Sequence, residues 1–358
     1  MTTSVSGPDV RPDLSRSPRS SAVAEEVGRA AAQVVGLGTH LGATLDWATR
    51  MGRIVPLPGH GRTWERWSAL ATAAAHDVGA ARVLEPHLDA LAILAEARAS
   101  GELEDDALAP LGADEESAWG VYAAEGAEPL RARRDADDRW TLTGTKTWCS
   151  LARDLSHALV TAWVDATTRR LFAVSLRDPS VTAHPGPWVA RGLRGIVSAP
   201  VEFAETPAVA VGADEWYLHR PGFAWGGIGV AAVWWGGVHP VLDAVRSAAA
   251  RERADQVAFM LLGDADTAVW AARTVLGDAA HRIDHEDAGD PRLLAERVRA
   301  VVASSVEHVL MIADQALGPA PLTTDEAYAR RTADLRLYVR QHHAHRDLVR
   351  IGRRVVGG

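Results

Sequence analysis

Three groups of side chains have types and spacings that could do chemistry. In Trp140-Thr-Leu-Thr-Gly144-Thr-Lys146-Thr-Trp148-Cys149-Ser150, a flat aromatic face stands beside a small hydroxyl at the end of a strand. Backbone N–H groups come free at such a place, so the pair can lie against a planar heterocycle and hydrogen-bond its polar edge. In Arg340-Gln-His342-His343-Ala-His345-Arg-Asp347, free imidazoles titrate near neutral pH, and His343 and Asp347 share a helix face at i,i+4. The cluster is either a site of proton transfer or the surface of an exposed helix. In Glu85-x-His87-x-Asp89, residues two apart on a helix face different ways, so the three cannot converge on one ion, and no metal is expected. Cys149 is the single cysteine, which excludes an internal disulfide; with no His/Asp arrangement beside it, it reads as a small packed side chain rather than a nucleophile.

These groups need elements to position them. Trp140 and Leu142 alternate with Thr141 and Thr143 at the period of a half-buried strand, and Gly144 allows a turn, so the stretch reads as a two-stranded corner. Short β-branched and aromatic segments at 119–122, 157–163, 170–176 and 201–203, separated by the turns Asp135-Ala-Asp-Asp138 and Asp165-Ala-Thr-Thr168, predict a compact antiparallel barrel over 119–213. Before it, Ala-rich helical periodicity runs from Ala22 to about Thr49, broken by Gly36 and Gly38, and again from Thr63 through Arg98, giving a helical region over 21–118. After it, four helices are expected over 214–358: Phe223 to Arg251, apolar on nearly all sides and Gly-rich, then Gln256 to Ile283, Pro291 to Leu317 and Asp325 to Arg354. Residues 1–20, rich in Ser, Pro and Arg, read as a loose tail.

Bulk properties bound the partners. A chain of 358 residues with 47% hydrophobic content can build two or three packed units. A formal net charge of −8 argues against a nucleic-acid partner. No apolar run is read as reaching the roughly 18 to 20 residues of a bilayer span, and the first residues lack a secretory apolar core, so no membrane partner and a cytoplasmic location are the expectations.

In order and spacing, Trp119-Gly-Val-Tyr122-Ala-Ala124-Glu125, then Trp140 to Ser150, then Gly192-Leu-Arg194-Gly-Ile-Val-Ser198 resemble the middle domain of the flavin-dependent acyl-CoA dehydrogenase family. The resemblance extends over nearly the whole chain and implies an α+β fold: N-terminal helical domain, middle antiparallel β barrel, C-terminal four-helix bundle. It implies FAD, with FMN the alternative, held by Tyr122, Ala124, Trp148, Cys149 and Ser150. Arg253, Gln315 and Gly318 match parts of the segments that hold the ADP half across a dimer, although Phe-Gly is missing after Arg253. His87 would line the substrate tunnel. The implied reaction is α,β-dehydrogenation of an acyl thioester, on CoA or a carrier protein, by a carboxylate that removes the α proton while the β hydride passes to the flavin, with a separate electron acceptor and a homodimer or homotetramer. The family's two positions for that carboxylate fall here on or near His342 and near Val230. His342 and His343 are therefore the candidate catalytic bases. A monooxygenase of the same fold, and a scaffold subunit without catalysis, are the alternatives.

Overall fold

In the computed structural model residues 21–357 are described; the expected tail over 1–20 lies outside them. The chain runs through helices α1 (Ala22–Ala32), α2 (Leu41–Gly52), α3 (Thr63–His76) and α4 (Val78–Ala99). Strands β1 (Trp119–Tyr122), β2 (Arg131–Arg134), β3 (Trp140–Ser150), β4 (His157–Trp163), β5 (Arg169–Ser175), β6 (Val181–Ala183) and β7 (Ser198–Val211) follow. Helices α5 (Trp216–His219), α6 (Pro221–Ala249), α7 (Gln256–Asp284), α8 (Pro291–Leu317), α9 (Ala320–Thr324), α10 (Glu326–Tyr338) and α11 (His345–Val355) complete it.

Two breaks depart from the sequence expectation, and each has a carboxylate behind it. The run from Thr63 to Arg98 is split at Asp77, whose extended backbone ends α3 while its side chain accepts the Ala80 N–H at 2.8 Å and caps α4. The expected last helix is split after Tyr338: a 3-10 turn, Val339–Gln341, leads to a bend, and α11 restarts at His345. Asp347, in the first turn of α11, accepts the His343 N–H at 3.0 Å and so stabilises the restart.

The strands close into a barrel through the pairings β4–β2, β2–β3, β3–β7, β7–β5 and β5–β4. Its closure is mixed: β1 and β2 join β4 in parallel, the other pairings being antiparallel. Arg131–Arg134 escapes sequence reading because its charges mask a one-sided strand in which only Ala132 points inward. Gly144 does not turn the chain. Strand β3 runs on through it, and the glycine takes a φ of +123°, a backbone conformation that residues with a side chain rarely adopt.

In the C-terminal bundle, α6 packs on α3, α7 and α8. A methyl at Gly236 would enter the backbone of Ala71 on α3, so the two helices meet backbone to backbone. Arg331 on α10 locks this contact, donating to the carbonyls of Ala74 (2.7 Å), Ala75 (2.9 Å) and His76 (2.9 Å) at the end of α3. By length and composition α6 and α8 do qualify as bilayer spans, against the sequence expectation; in this fold α6 spends its apolar surface in the bundle, burying Ile228, Val233, Trp234, Trp235 and Val241.

Gly236→Ala should therefore destabilise the protein by about 1–3 kcal/mol through overpacking. Gly263→Ala, on α7 with open space around it, should stabilise it by about 0.5–1 kcal/mol. Urea unfolding checks both, and equal midpoints for the two variants would contradict the close approach.

Candidate active site

The three sequence segments meet at Ser150. The Tyr122 hydroxyl donates to the Ser150 carbonyl at 3.0 Å, and the hydroxyls of Ser150 and Ser198 lie 2.7 Å apart. Just before Ser150 the β3–β7 register slips between Lys146 and Cys149, so Thr147 and Trp148 bulge out with no partner across the ladder. Trp148 takes a positive φ of 60° and is 65% exposed, and the buried Thr147 hydroxyl has no hydrogen-bond partner. An exposed aromatic plane beside an unsatisfied hydroxyl fits the edge and face of a planar heterocycle such as a flavin ring. Ala124 is exposed in the loop after β1. Cys149 packs into the barrel with its sulfur 3.3 Å from the Lys146 carbonyl, and burial pushes its thiol up to about 12, so it stays neutral.

Lys146 also points inward. Its ammonium donates to Thr161 O and Oγ1, both at 2.8 Å, and to Glu125 at 3.2 Å, with Trp163 Nε1 donating to the same carboxylate at 3.0 Å. The residue is spent inside the barrel as a satisfied ion pair, and it anchors the loop that follows Tyr122.

A cavity of about 520 Å³ opens between α4, α6, α8 and the chain around α11. Val230 lines it, so the position at which a carboxylate would arise from α6 carries an isopropyl group. Carboxylates come instead from α4, as Glu85 and Asp89, from α8, as Glu296, and from α11, as Asp347. Burial raises Glu85 to about 6, with Arg82 only partly offsetting it. Tyr338, whose own pKa burial raises well above 10, donates its hydroxyl to Glu85 at 3.2 Å. Arg82 joins this carboxyl to the barrel edge: Nη1 lies 3.7 Å from Glu85, and Nη2 donates to the Ser150 hydroxyl at 3.3 Å.

The two candidate histidines converge on Asp347. His343, at the cavity wall, holds Nδ1 3.4 Å from Asp347 Oδ1, and His342 holds Nε2 3.5 Å from Oδ2. They reach it from the bend before α11, not from one helix face. Burial alone would raise Asp347, but the His343 N–H, Arg350 at 2.6 Å and both imidazoles hold it below the usual carboxylate range. His342 is pushed down by burial against the pull of Asp347. His87 faces away from the cavity lining: its Nδ1 accepts the Trp119 N–H at 3.3 Å, and burial lowers it to about 4. Among the described residues no three ligand side chains gather as a metal would require.

Arg253, Gln315 and Gly318 lie apart from Ser150: Arg253 in the turn before α7, Gln315 in the last turn of α8 and Gly318 just after it. The His308–Asp264 contact at 2.9 Å fixes the antiparallel register of these helices, which puts the start of α7 and the end of α8 at one end. Arg253 and Gln315 are exposed there, and Gly318, at φ +63°, has open space around it.

Sequence reasoning dismissed Glu85 with the metal triplet and did not single out Arg82, Arg299 or Tyr338. The available signal was the spacing Arg82, Glu85, Asp89, which sets three charges on one face of a helix that packs against others. Tyr338 had no signal of its own.

No family model matches the chain, and no curated protein matches it by sequence. Solved structures do resemble it. Dibenzothiophene monooxygenase TdsC from Paenibacillus sp. A11-2, solved with FMN and indole, is 17% identical at a TM-score of 0.73 over 92% of this chain and 95% of that one. KijD3, solved with FMN and dTDP-3-amino-2,3,6-trideoxy-4-keto-3-methyl-D-glucose, is 20% identical at 0.73 over 94% and 91%. Butyryl-CoA dehydrogenase from Megasphaera elsdenii is 15% identical at 0.73 over 93% and 96%. The chain has the acyl-CoA dehydrogenase fold.

The raised pKa of Glu85 implies a stability slope. Folding favours its protonated form, so its contribution is full below the ordinary value near 4.5 and is lost as pH rises through about 6. Relative to Glu85→Gln, which cannot ionise, the wild type should lose about 2 kcal/mol between pH 4.5 and pH 7.5. Urea unfolding of both proteins at the two pH values checks this; a constant difference would contradict it.

Proposed function

We propose that this chain is a flavin-dependent oxidoreductase, with the flavin ring against the Thr147–Ser150 end of the barrel and the substrate in the cavity beside α4. The observation that carries the reading is the Arg82 bridge between Ser150 and Glu85, which sets a carboxyl poised near pH 6 next to the barrel edge. Bound flavin supplies a two-electron acceptor. Trp148 offers a stacking face, Thr147 and Ser150 offer hydroxyls to the ring's polar edge, and Glu85 takes the proton from carbon. Tyr338 and Arg82 orient the Glu85 carboxyl. In the dehydrogenase form of this reading a C–H next to a thioester carbonyl would lose its proton to Glu85, the β hydrogen with its electron pair would pass to the bound flavin, and a separate electron acceptor would take those electrons onward.

A monooxygenase is the second reading, favoured by Val230 at the cavity wall, by the charged lining, and by the FMN in the TdsC and KijD3 complexes. For the cofactor, the exposed Arg253 and Gln315 and the open space at Gly318 support an ADP cradle completed by a second copy, and hence FAD; FMN needs no such cradle. We also propose a dimer or larger assembly. Val257, Phe259 and Met260 on α7 and Met311 on α8 leave a large apolar surface uncovered, and a strictly monomeric particle in light scattering would contradict this.

Anaerobic mixing with butyryl-CoA tests the reaction: bleaching of the flavin supports dehydrogenation, whereas oxygen uptake that requires externally reduced flavin supports monooxygenation. Under either, Glu85→Gln should slow the chemical step by on the order of 100-fold or more and abolish a pH limb near 6, with flavin content unchanged. His342→Ala and His343→Ala run in parallel. If they, and not Glu85→Gln, lose the step, the proton passes through the histidines.

A further inference from the structure

The charges around the cavity are unevenly paired. Arg220 is held by Glu96 at 2.6 Å and Asp89 at 3.8 Å, Arg350 by Asp347 at 2.6 Å and Glu296 at 3.0 Å, and Arg354 by Asp290 at 3.1 Å and Glu296 at 3.3 Å. Arg299 differs. Its guanidinium donates to the carbonyl oxygens of Gly227 at 2.6 Å and Gln341 at 2.9 Å and lies 4.8 Å over the Trp234 ring, but among the described residues it has no carboxylate in ion-pair contact.

Withdrawing a cation from water is costly unless an anion answers it, and neutral carbonyls compensate only in part. Burial lowers the pKa of Arg299, while Asp347 and Glu85 act on it only through the field. A guanidinium has five N–H donors in a planar fork, so donors remain for a ligand that shares this cavity. The side chain is also fixed: two hydrogen bonds and the Trp234 face hold the fork in place, which reduces the entropy lost when an anion docks.

We propose, on the reading of this cavity as the substrate site, that Arg299 binds an anionic group of the substrate, a carboxylate or a phosphoryl group. The substrate is then a polar, anionic small molecule and not an unadorned alkyl chain. A cavity of about 520 Å³ holds such a molecule, with its anion at Arg299 and its reacting carbon toward Glu85.

Calorimetric titration of the purified full-length protein tests this, with inorganic phosphate and sodium propionate as separate probes at constant ionic strength. At least one anion should bind saturably to the wild type and to Arg297→Met, a control at an exposed residue of α8 that lines a separate pocket against α7. Arg299→Met should weaken that binding at least ten-fold, and Arg299→Lys, which keeps the charge but loses the fork, should fall between. Tighter phosphate binding assigns the group as phosphoryl, and tighter propionate binding as carboxylate. Absence of saturable binding of both anions, or equal binding by Arg299→Met, overturns the proposal; if that variant does not fold, Arg299→Gln is read in its place by the same criterion. Flavin titration separates the two readings: a protein that binds neither FMN nor FAD yet binds the anion through Arg299 sinks the flavin assignment alone, and a protein that binds flavin but is indifferent to Arg299 sinks this proposal alone.

Discussion

The backbone contact of α6 with α3 at Gly236 and Ala71 is the constraint from which the cavity follows. With no side chain between them, the helices cross closely enough for Val230 and Gly227 of α6 to face Glu85 and Asp89 of α4 across one cavity, and for Trp234 to meet Tyr338 edge to face at 6.3 Å. Arg331 holds the end of α3 from α10, so the helix that carries Tyr338 is tied to the same crossing. A second tie runs from α10 to the barrel: Asp334 accepts the Leu193 N–H, and Gly192 leaves no room for a methyl against the Ala333 carbonyl. The Gly192-Leu-Arg194 segment thus matters as a close backbone fit between barrel and bundle, which keeps Ser198 and Ser150 in register with α4.

Within that frame, environment assigns different chemistry to similar groups. Glu85 and Asp347 line one cavity, yet burial leaves the first able to exchange a proton near pH 6, whereas a backbone N–H, Arg350 and two imidazoles keep the second ionised. Asp347 is accordingly a fixed charge that organises the bend before α11. His342 and His343 are, in geometry, its partners, a relation that their spacing in the sequence only half conveys.

Much of the fold was legible in the sequence because its signals are local. Gly36 and Gly38 mark a true helix break, Asp135 and Asp165 each fold a hairpin turn by accepting backbone N–H groups, and the glycine-rich apolar run of α6 is a buried helix. The failures are places where tertiary contacts override such signals. Gly144 looked like a turn but supplies a positive φ inside a continuous strand, and the break before α11 has no glycine or proline to announce it. The candidate site was half legible. Trp148 and Ser150 stand out within a continuous motif, whereas Glu85, Arg82, Tyr338 and Arg299 come from three helices, and only packing brings them together.

The central claim, that the Thr147–Ser150 bulge is a flavin platform, is tested most directly by titrating flavin-free protein with FMN and with FAD and following the flavin absorption spectrum, in the wild type and in Trp148→Ala. Because Trp148 stands 65% exposed on the bulge, the substitution removes a stacking face and little core. The account predicts saturable binding of at least one flavin by the wild type, and at least ten-fold weaker binding by Trp148→Ala at an unchanged melting temperature. Absence of binding by the wild type, or identical binding by both proteins, would contradict it.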